Sequence, residues 1–294
     1  MRKLNPPPHS LAAILDLCAS SLRNKEFAGR LRSSLALLSL AELTYRELGK
    51  ASDLYTIAPT STVNGQVSLA EMEALYSKTF MRKGGPTRAI YDAIRAGAPG
   101  GICPLCNQRP VSTLDHHLAK SEYATLAITP INLVPACKDC NTDSNVRKPA
   151  TKGDQTLHPY FDSVDDEIWL TAQVATGSPP SLKFFSNPPM HWTPDMQAMV
   201  RSHFKVFGLG ELYAVHAAGE LVNIYFDIVS NPLPPAQLQA HLGEQAANRR
   251  RVVRNSWQAA LYQALAQSDW FCQGGYNDVA HSPLLGPVPG VKAA

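Results

Sequence analysis

Four cysteines in two Cys-x-x-Cys pairs, Cys103/Cys106 and Cys137/Cys140, constrain this chain more than any other feature. Two residues between thiolates let each pair close as a tight turn around one tetrahedral ion, the usual pattern of a structural zinc site. Pro104 within the first pair and Asn107 directly after it suit such a turn. Residues 107–136 separate the pairs, more than a minimal finger needs, and leave room for a β-hairpin and an irregular loop. Beyond Cys140, the run Asn141-Thr142-Asp143 can open a helix with a polar residue at its cap. Zinc thiolates need reducing surroundings, which favours the cytoplasm. Cys18 and Cys272 lie far apart in apolar stretches and read as buried thiols.

The segment between the pairs carries reactive side chains. Val111-Ser112-Thr113-Leu114 is β-prone and runs into Asp115-His116-His117, and the apolar stretch Ile128–Pro135 carries one asparagine, Asn132. A carboxylate and an amide oxygen can hold a hard divalent ion, and an imidazole can take a proton from water near neutral pH. Singly, each residue has an ordinary reading: a zinc ribbon, a hydrogen-bonded histidine, a turn asparagine, a helix cap. Their order is more specific. C-x-x-C, then L-D-H-H, then I-N-L-V-P-A-C-x-x-C-N, across residues 100–149, resembles the HNH endonucleases, the His-Me finger or ββα-metal group.

That resemblance implies a metal-dependent endonuclease, a phosphodiester hydrolase acting on nucleic acid, with DNA favoured as substrate. It implies Zn²⁺ on the four cysteines as scaffold and Mg²⁺ or Mn²⁺ as catalytic ion. Asp115 and Asn141 would hold the catalytic ion, His116 would activate water, and Asn132 would orient the loop that positions the base. Products with 5′-phosphate and 3′-hydroxyl ends follow from the same likeness. Many members carry His where this chain has Asn141, and the oxygen donor favours Mg²⁺ or Mn²⁺ over a transition metal. Strand alternation puts Asp115 and His117 on one face and His116 on the other. Some members use the second of two adjacent histidines as base, so His117 stays beside His116 as a catalytic contributor. Lys138, Arg147 and Lys148 add positive charge for phosphate contacts. His158, in Leu157-His158-Pro159-Tyr160-Phe161-Asp162, reads as structural, with Tyr160 and Phe161 as an anchor after the linker.

Two other functions compete. One is a non-catalytic zinc-ribbon module that binds nucleic acid or a protein partner. The other makes the nuclease the effector of a bacterial antiviral defence or mobile-element system, governed by a partner such as an ATPase. The long C-terminal region motivates the second, since an HNH unit does not need it.

Composition bounds the answer loosely. The 294 residues can bury a core and hold two domains, and 45% hydrophobic with 17% charged residues describes a globular chain. A net charge of +3 does not by itself indicate nucleic acid. Pro6-Pro7-Pro8 and Asp16 interrupt any signal-peptide pattern, and the apolar run Leu35–Leu43 is about half a membrane span, so no membrane association is expected.

The pattern predicts an α+β chain, mainly helical, with a central ββα-metal unit stapled by four cysteines. It divides into a helical region 1–64, a helical lead-in plus nuclease unit 65–152, a C-terminal α/β region 153–274 and a loose tail 275–294. Ser68-Leu69-Ala70-Glu71 is a capping box opening a helix with Met72, Leu75, Tyr76 and Phe80 on one face. Residues 167–174 and 181–185 read as paired strands, Thr193-Pro194 as a helix start, and 237–267 as one long helix carrying the basic cluster Arg249-Arg250-Arg251 with Arg254.

Overall fold

Leu11, Ile14, Leu15 and Cys18 fall on one side of a 3.6-residue repeat, and they form the buried face of α1 (Leu11–Ser21). A computed structural model describes residues 1–144 and 149–285 of the chain. Helix α2 (Lys25–Ser33) starts at Asn24, whose side chain accepts a hydrogen bond from the Phe27 amide, and α3 (Leu35–Lys50) follows directly. Strands β1 (Thr62–Val63) and β2 (Val67–Ser68) form a minimal hairpin. Its turn residues, Asn64 and Gly65, both have positive φ, as a tight hairpin requires. The capping box at Ser68 and Glu71 is formed in both directions and opens α4 (Leu69–Leu75). The last turn widens into a π-helical turn, Tyr76–Phe80, before α5 (Arg88–Ala96).

The segment that carries the four cysteines comes next. Strands β3 (Thr113–His116) and β4 (Leu133–Ala136) pair antiparallel, with Asp115 opposite Val134 and His116 opposite Leu133. Helix α6 (Lys138–Asp143) follows immediately. This hairpin buries Leu114 and Leu133 in the same apolar cluster as Leu11, Leu31, Leu38, Met72, Leu75 and Phe80. The small ββα element therefore has no core of its own; the preceding helices supply it.

That sharing corrects the expected boundaries. The chain divides into two compact units, Met1–Ser163 and Val164–Ala294. Residues 1–64 and 65–152 belong to one unit because their apolar side chains meet in one cluster. The boundary falls past residue 152 because Leu157–Asp162 folds back onto the first unit. Tyr160 donates from its hydroxyl to the Leu133 carbonyl at 2.7 Å, and Ser52 donates to Asp162 Oδ1 at 3.1 Å. The Phe161 ring lies against Gly49 near the end of α3, where a methyl group would overlap it.

In the second unit, β5 (Leu170–Ala175) and β6 (Ser181–Ser186) form an antiparallel hairpin with Ala172 opposite Phe184. Helix α7 (Pro194–Val206) starts at Thr193 with Pro194 in its first turn, as expected. Helix α8 (Leu209–Ser230) is continuous. The long helix expected over 237–267 is instead α9 (Pro235–Val252) and α10 (Trp257–Ala266), followed by α11 (Asp269–Cys272). Asn255 makes the break. Its buried Oδ1 accepts from the amides of Trp169 at 2.9 Å and Leu170 at 3.2 Å, and Nδ2 donates to the Glu167 carbonyl at 2.9 Å. A residue with those bonds has left the helical ladder, and Ser256 caps the restart at Ala259. Within the expected tail, residues 275–285 form short helical turns with Val279 buried; residues 286–294 lie outside the described part.

The basic cluster of α9 is largely committed inside this unit. Arg249 lies 3.8 Å from the Tyr262 ring centre, Arg250 donates to the Arg254 carbonyl at 3.1 Å, and Arg254 donates to the Asp166 carbonyl. The architecture is α+β and mainly helical, with small two-stranded sheets. Among the described residues, no helix is long and apolar enough to cross a membrane.

The Gly49–Phe161 contact gives the first test. Gly49→Ala should destabilise the chain by about 1–3 kcal/mol through overpacking, measured by chemical denaturation. Combining it with Phe161→Leu should recover part of that loss. A neutral Gly49→Ala would mean that Phe161 does not dock there.

Candidate functional site

The knuckles form because short turns aim backbone amides at sulfur. Asn107 takes a left-handed conformation, φ 52°, directly after Cys106, and its amide donates to the Cys103 carbonyl at 2.8 Å. The chain can then turn back so that the Arg109 amide reaches Cys106 Sγ at 3.4 Å. In the second pair Cys137 is the N-cap of α6, and its sulfur accepts from the Cys140 amide at 3.4 Å. All four cysteines are buried, and their sulfurs lie within 4.8 Å of one another. Thiolates about 2.3 Å from a tetrahedral ion would sit roughly 3.8 Å apart, so the cluster suits one ion such as zinc. Hydrogen bonds from Cys103 and Cys140, with the backbone amides behind them, hold Cys106 and Cys137 below the ordinary thiol range. Arg109 pairs with Asp139 at 2.9 Å, tying one knuckle to the other.

The clamp sets α6 against β3. Asp115 on β3 is 3% exposed, and its Oδ1 has no hydrogen-bond partner among the described residues. Burial pushes its pKa from 3.8 to about 7, with the Ser144 hydroxyl and the His116 amide pulling the other way. Ser144 closes α6 three residues after Asn141, so both side chains project from one face of that helix. The Asp115 carboxylate thus faces the side of α6 that carries Asn141. A buried carboxylate oxygen with no partner among the described residues is a donor suited to a hard cation.

His116 turns to the other side of the hairpin. Its Nε2 lies 2.9 Å from the Ala127 carbonyl, and its ring meets Tyr76 edge-on with centres 4.4 Å apart. Only an N–H can satisfy a carbonyl, so the proton sits on Nε2 and Nδ1 keeps its lone pair. Burial lowers its pKa to about 4, which keeps the ring neutral at physiological pH. Tyr76 comes from the π-helical turn.

Asn132 is fully buried and uses both ends of its amide. Oδ1 accepts from the Leu118 amide at 2.8 Å and the Tyr45 hydroxyl at 3.0 Å, while Nδ2 donates to the carbonyls of Leu118 at 2.9 Å and Leu126 at 3.2 Å. These bonds fold the loop between β3 and β4, and that loop presents the Ala127 carbonyl to His116. Thr60 grips the same loop from outside, through backbone bonds with Glu122 at 2.9 Å and Ala124 at 3.0 Å.

The structure sets His117 elsewhere. Its ring packs 4.2 Å from that of His158, and burial lowers its pKa to about 4. It belongs to a second buried cluster with Tyr45, Tyr160 and Phe161. Lys138 lies exposed on the first turn of α6, beside Cys137. Arg147 and Lys148 lie outside the described residues. Tyr45 and the Ala127 carbonyl were not singled out from the sequence, and Tyr76 was read only as part of an apolar helix face. Two of the three sit far from the motif in the chain, and a backbone carbonyl leaves no sequence signal.

The chain is 26% identical to protein ea31 of Escherichia phage lambda over 298 residues, spanning 93% of this chain and 100% of that protein. No protein-family model matches the chain, and no solved structure does.

Two outcomes test this geometry. Cys137→Ser should cut bound zinc sharply and abolish cooperative melting of the first unit, read by metal analysis and circular dichroism, because binding and folding are coupled. The second concerns Asp115. Its folded-state pKa is raised, so its contribution to stability is intact below about pH 4 and is lost as pH rises through about 7. The loss is on the order of 4 kcal/mol at most. Zinc-loaded Asp115→Asn, free of other divalent ions, should therefore be more stable than wild type at pH 8, with the gap closing toward pH 5.5. A pH-independent gap would mean that the carboxyl is not desolvated.

Proposed function

We propose that the chain is a metal-dependent endonuclease of the HNH type, hydrolysing phosphodiester bonds in nucleic acid, most readily DNA. The observation that carries this reading is a buried Asp115 carboxylate, one oxygen of which has no partner among the described residues, followed in the strand by a neutral His116 whose Nε2–H is spent on a carbonyl. A scaffold-only zinc ribbon has no need of a buried carboxylate, which costs stability.

Asp115 and Asn141 would hold Mg²⁺ or Mn²⁺. When bound, that ion would neutralise charge on the scissile phosphate and on the leaving oxygen. His116 takes one proton from water at Nδ1 while the water oxygen bonds to phosphorus. The bond from phosphorus to the 3′-oxygen breaks, the 3′-oxygen gains a proton from solvent, and His116 returns its proton to solvent. The products are a 5′-phosphate and a 3′-hydroxyl. Asn132 holds the loop that orients His116, and Lys138 offers a phosphate contact at the rim. His117 takes no part in this scheme, because its ring is turned to His158. The relative in a bacteriophage fits a mobile-element setting, with a partner such as an ATPase as the regulator to seek.

The competing reading is a zinc-bearing module that binds nucleic acid or protein without cutting. Cleavage of plasmid DNA by the purified zinc-loaded chain, with Mg²⁺ or Mn²⁺ added, separates the two. His116→Ala should lower the rate by at least about 100-fold, the scale of a lost general base, while zinc content and melting stay unchanged. Full activity in that variant would sink the assignment.

A further inference from the structure

The loop that seats His116 is held from a direction the motif does not encode. Tyr45 on α3 donates to Asn132 Oδ1 at 3.0 Å, and its oxygen also lies 3.0 Å from His158 Nε2. The other ring nitrogen of His158 is already an acceptor: the Tyr160 amide donates to Nδ1 at 3.2 Å. A neutral imidazole that accepts at Nδ1 carries its proton on Nε2. Burial keeps His158 neutral, well below its ordinary pKa, with the adjoining His117 adding to that effect. The bonds therefore run in one direction, from Tyr160 N–H to His158, from His158 N–H to Tyr45, from Tyr45 O–H to Asn132, and from Asn132 to Leu118 and Leu126. Asp162 fixes the start of the chain by accepting from the His158 amide at 2.7 Å.

We infer that Tyr45 and His158 are positioning residues for the catalytic base: they fix the amide of Asn132, and through the 118–127 loop they fix the tautomer of His116. This rests on the nuclease reading for its effect on rate, although the tautomer claim stands without it. Every member of the chain is 5% exposed or less, so water does not replace a missing link. Without the Tyr45 hydroxyl, Asn132 Oδ1 keeps only the Leu118 amide, and the buried His158 ring loses its bond to Tyr45. The Asn132 amide is then held by three bonds in place of four, and the loop carrying Ala127 is held less firmly. The arrangement also gives the α3 and Leu157–Asp162 segments a role in the chemistry. They lie on either side of the motif in sequence and meet behind it in space.

The test uses the full-length zinc-loaded chain. Tyr45→Phe removes one oxygen and keeps the ring. It should lower kcat by about 10–100-fold and leave KM within about threefold, at wild-type zinc content and melting temperature. His158→Gln, which keeps a donor toward Tyr45, should retain most of the rate, whereas His158→Phe should fall as far as Tyr45→Phe. The double variant Tyr45→Phe/His158→Phe should be no worse than either single one, since both cut the same chain. Ring ¹⁵N NMR reads the same effect without turnover: His116 should be the Nε2–H tautomer in wild type and a mixture in Tyr45→Phe. Should Tyr45→Phe destabilise the fold, the His158→Gln and His158→Phe pair makes the same comparison. Wild-type kcat and an unchanged His116 tautomer in Tyr45→Phe, alongside a dead His116→Ala, would overturn the inference and leave the nuclease reading in place. A wild-type chain that cuts nothing would overturn the nuclease reading, and the His116 tautomer alone would then decide the positioning claim.

Discussion

The convergence of four thiols is the contact on which the rest of the first unit depends. A six-residue helix such as α6 has almost no intrinsic stability, because nucleation costs more than its few hydrogen bonds return. It stands because Cys137 caps it and Cys140 anchors its first turn to the knuckle that precedes β3. That anchoring brings the Asn141 and Ser144 face against the Asp115 carboxylate. A desolvated carboxylate is tolerated only where surrounding structure is rigid enough to prevent it from turning to water, and an ion held by the four sulfurs would supply that rigidity.

The second organising element is a division of labour between the two sides of a four-residue strand. Asp115 and His116 are neighbours in β3, yet one faces α6 and the other faces Tyr76 and the Ala127 carbonyl. Burial acts oppositely on the two groups. It raises the carboxylic acid toward neutrality and lowers the imidazole well beneath it, so both favour the uncharged form. A cation beside Asp115 would restore its charge and leave the imidazole as a base.

Much of this was legible from residue order. The cysteine spacing, the strand at Thr113–His116, the capping box at Ser68 and the helix start at Thr193 follow from local rules that act over four or five residues. Failures had a common cause. Periodicity alone made 237–267 one helix, because the Asn255 side chain bonds to the start of β5 and the residue before it, 85 and 86 residues away in sequence. Composition placed a boundary near 64, because it does not register that Leu38 and Leu114 pack in one core. The sequence favours His116 as the base with His117 beside it; in the fold the His117 ring packs against His158.

The sequence by itself determined which groups were available: four soft ligands at knuckle spacing, a carboxylate and imidazole adjacent in a strand, and two carboxamides at fixed offsets from the last cysteine pair. These are short-range facts, set by covalent neighbours and by strand and helix periods. Only the tertiary structure decided which histidine meets a carbonyl, which carboxylate oxygen is left without a partner, and that Tyr45 and His158 stand behind Asn132. Those outcomes depend on desolvation and on hydrogen-bond direction between segments more than 80 residues apart, and such terms take their values only once the intervening chain has packed.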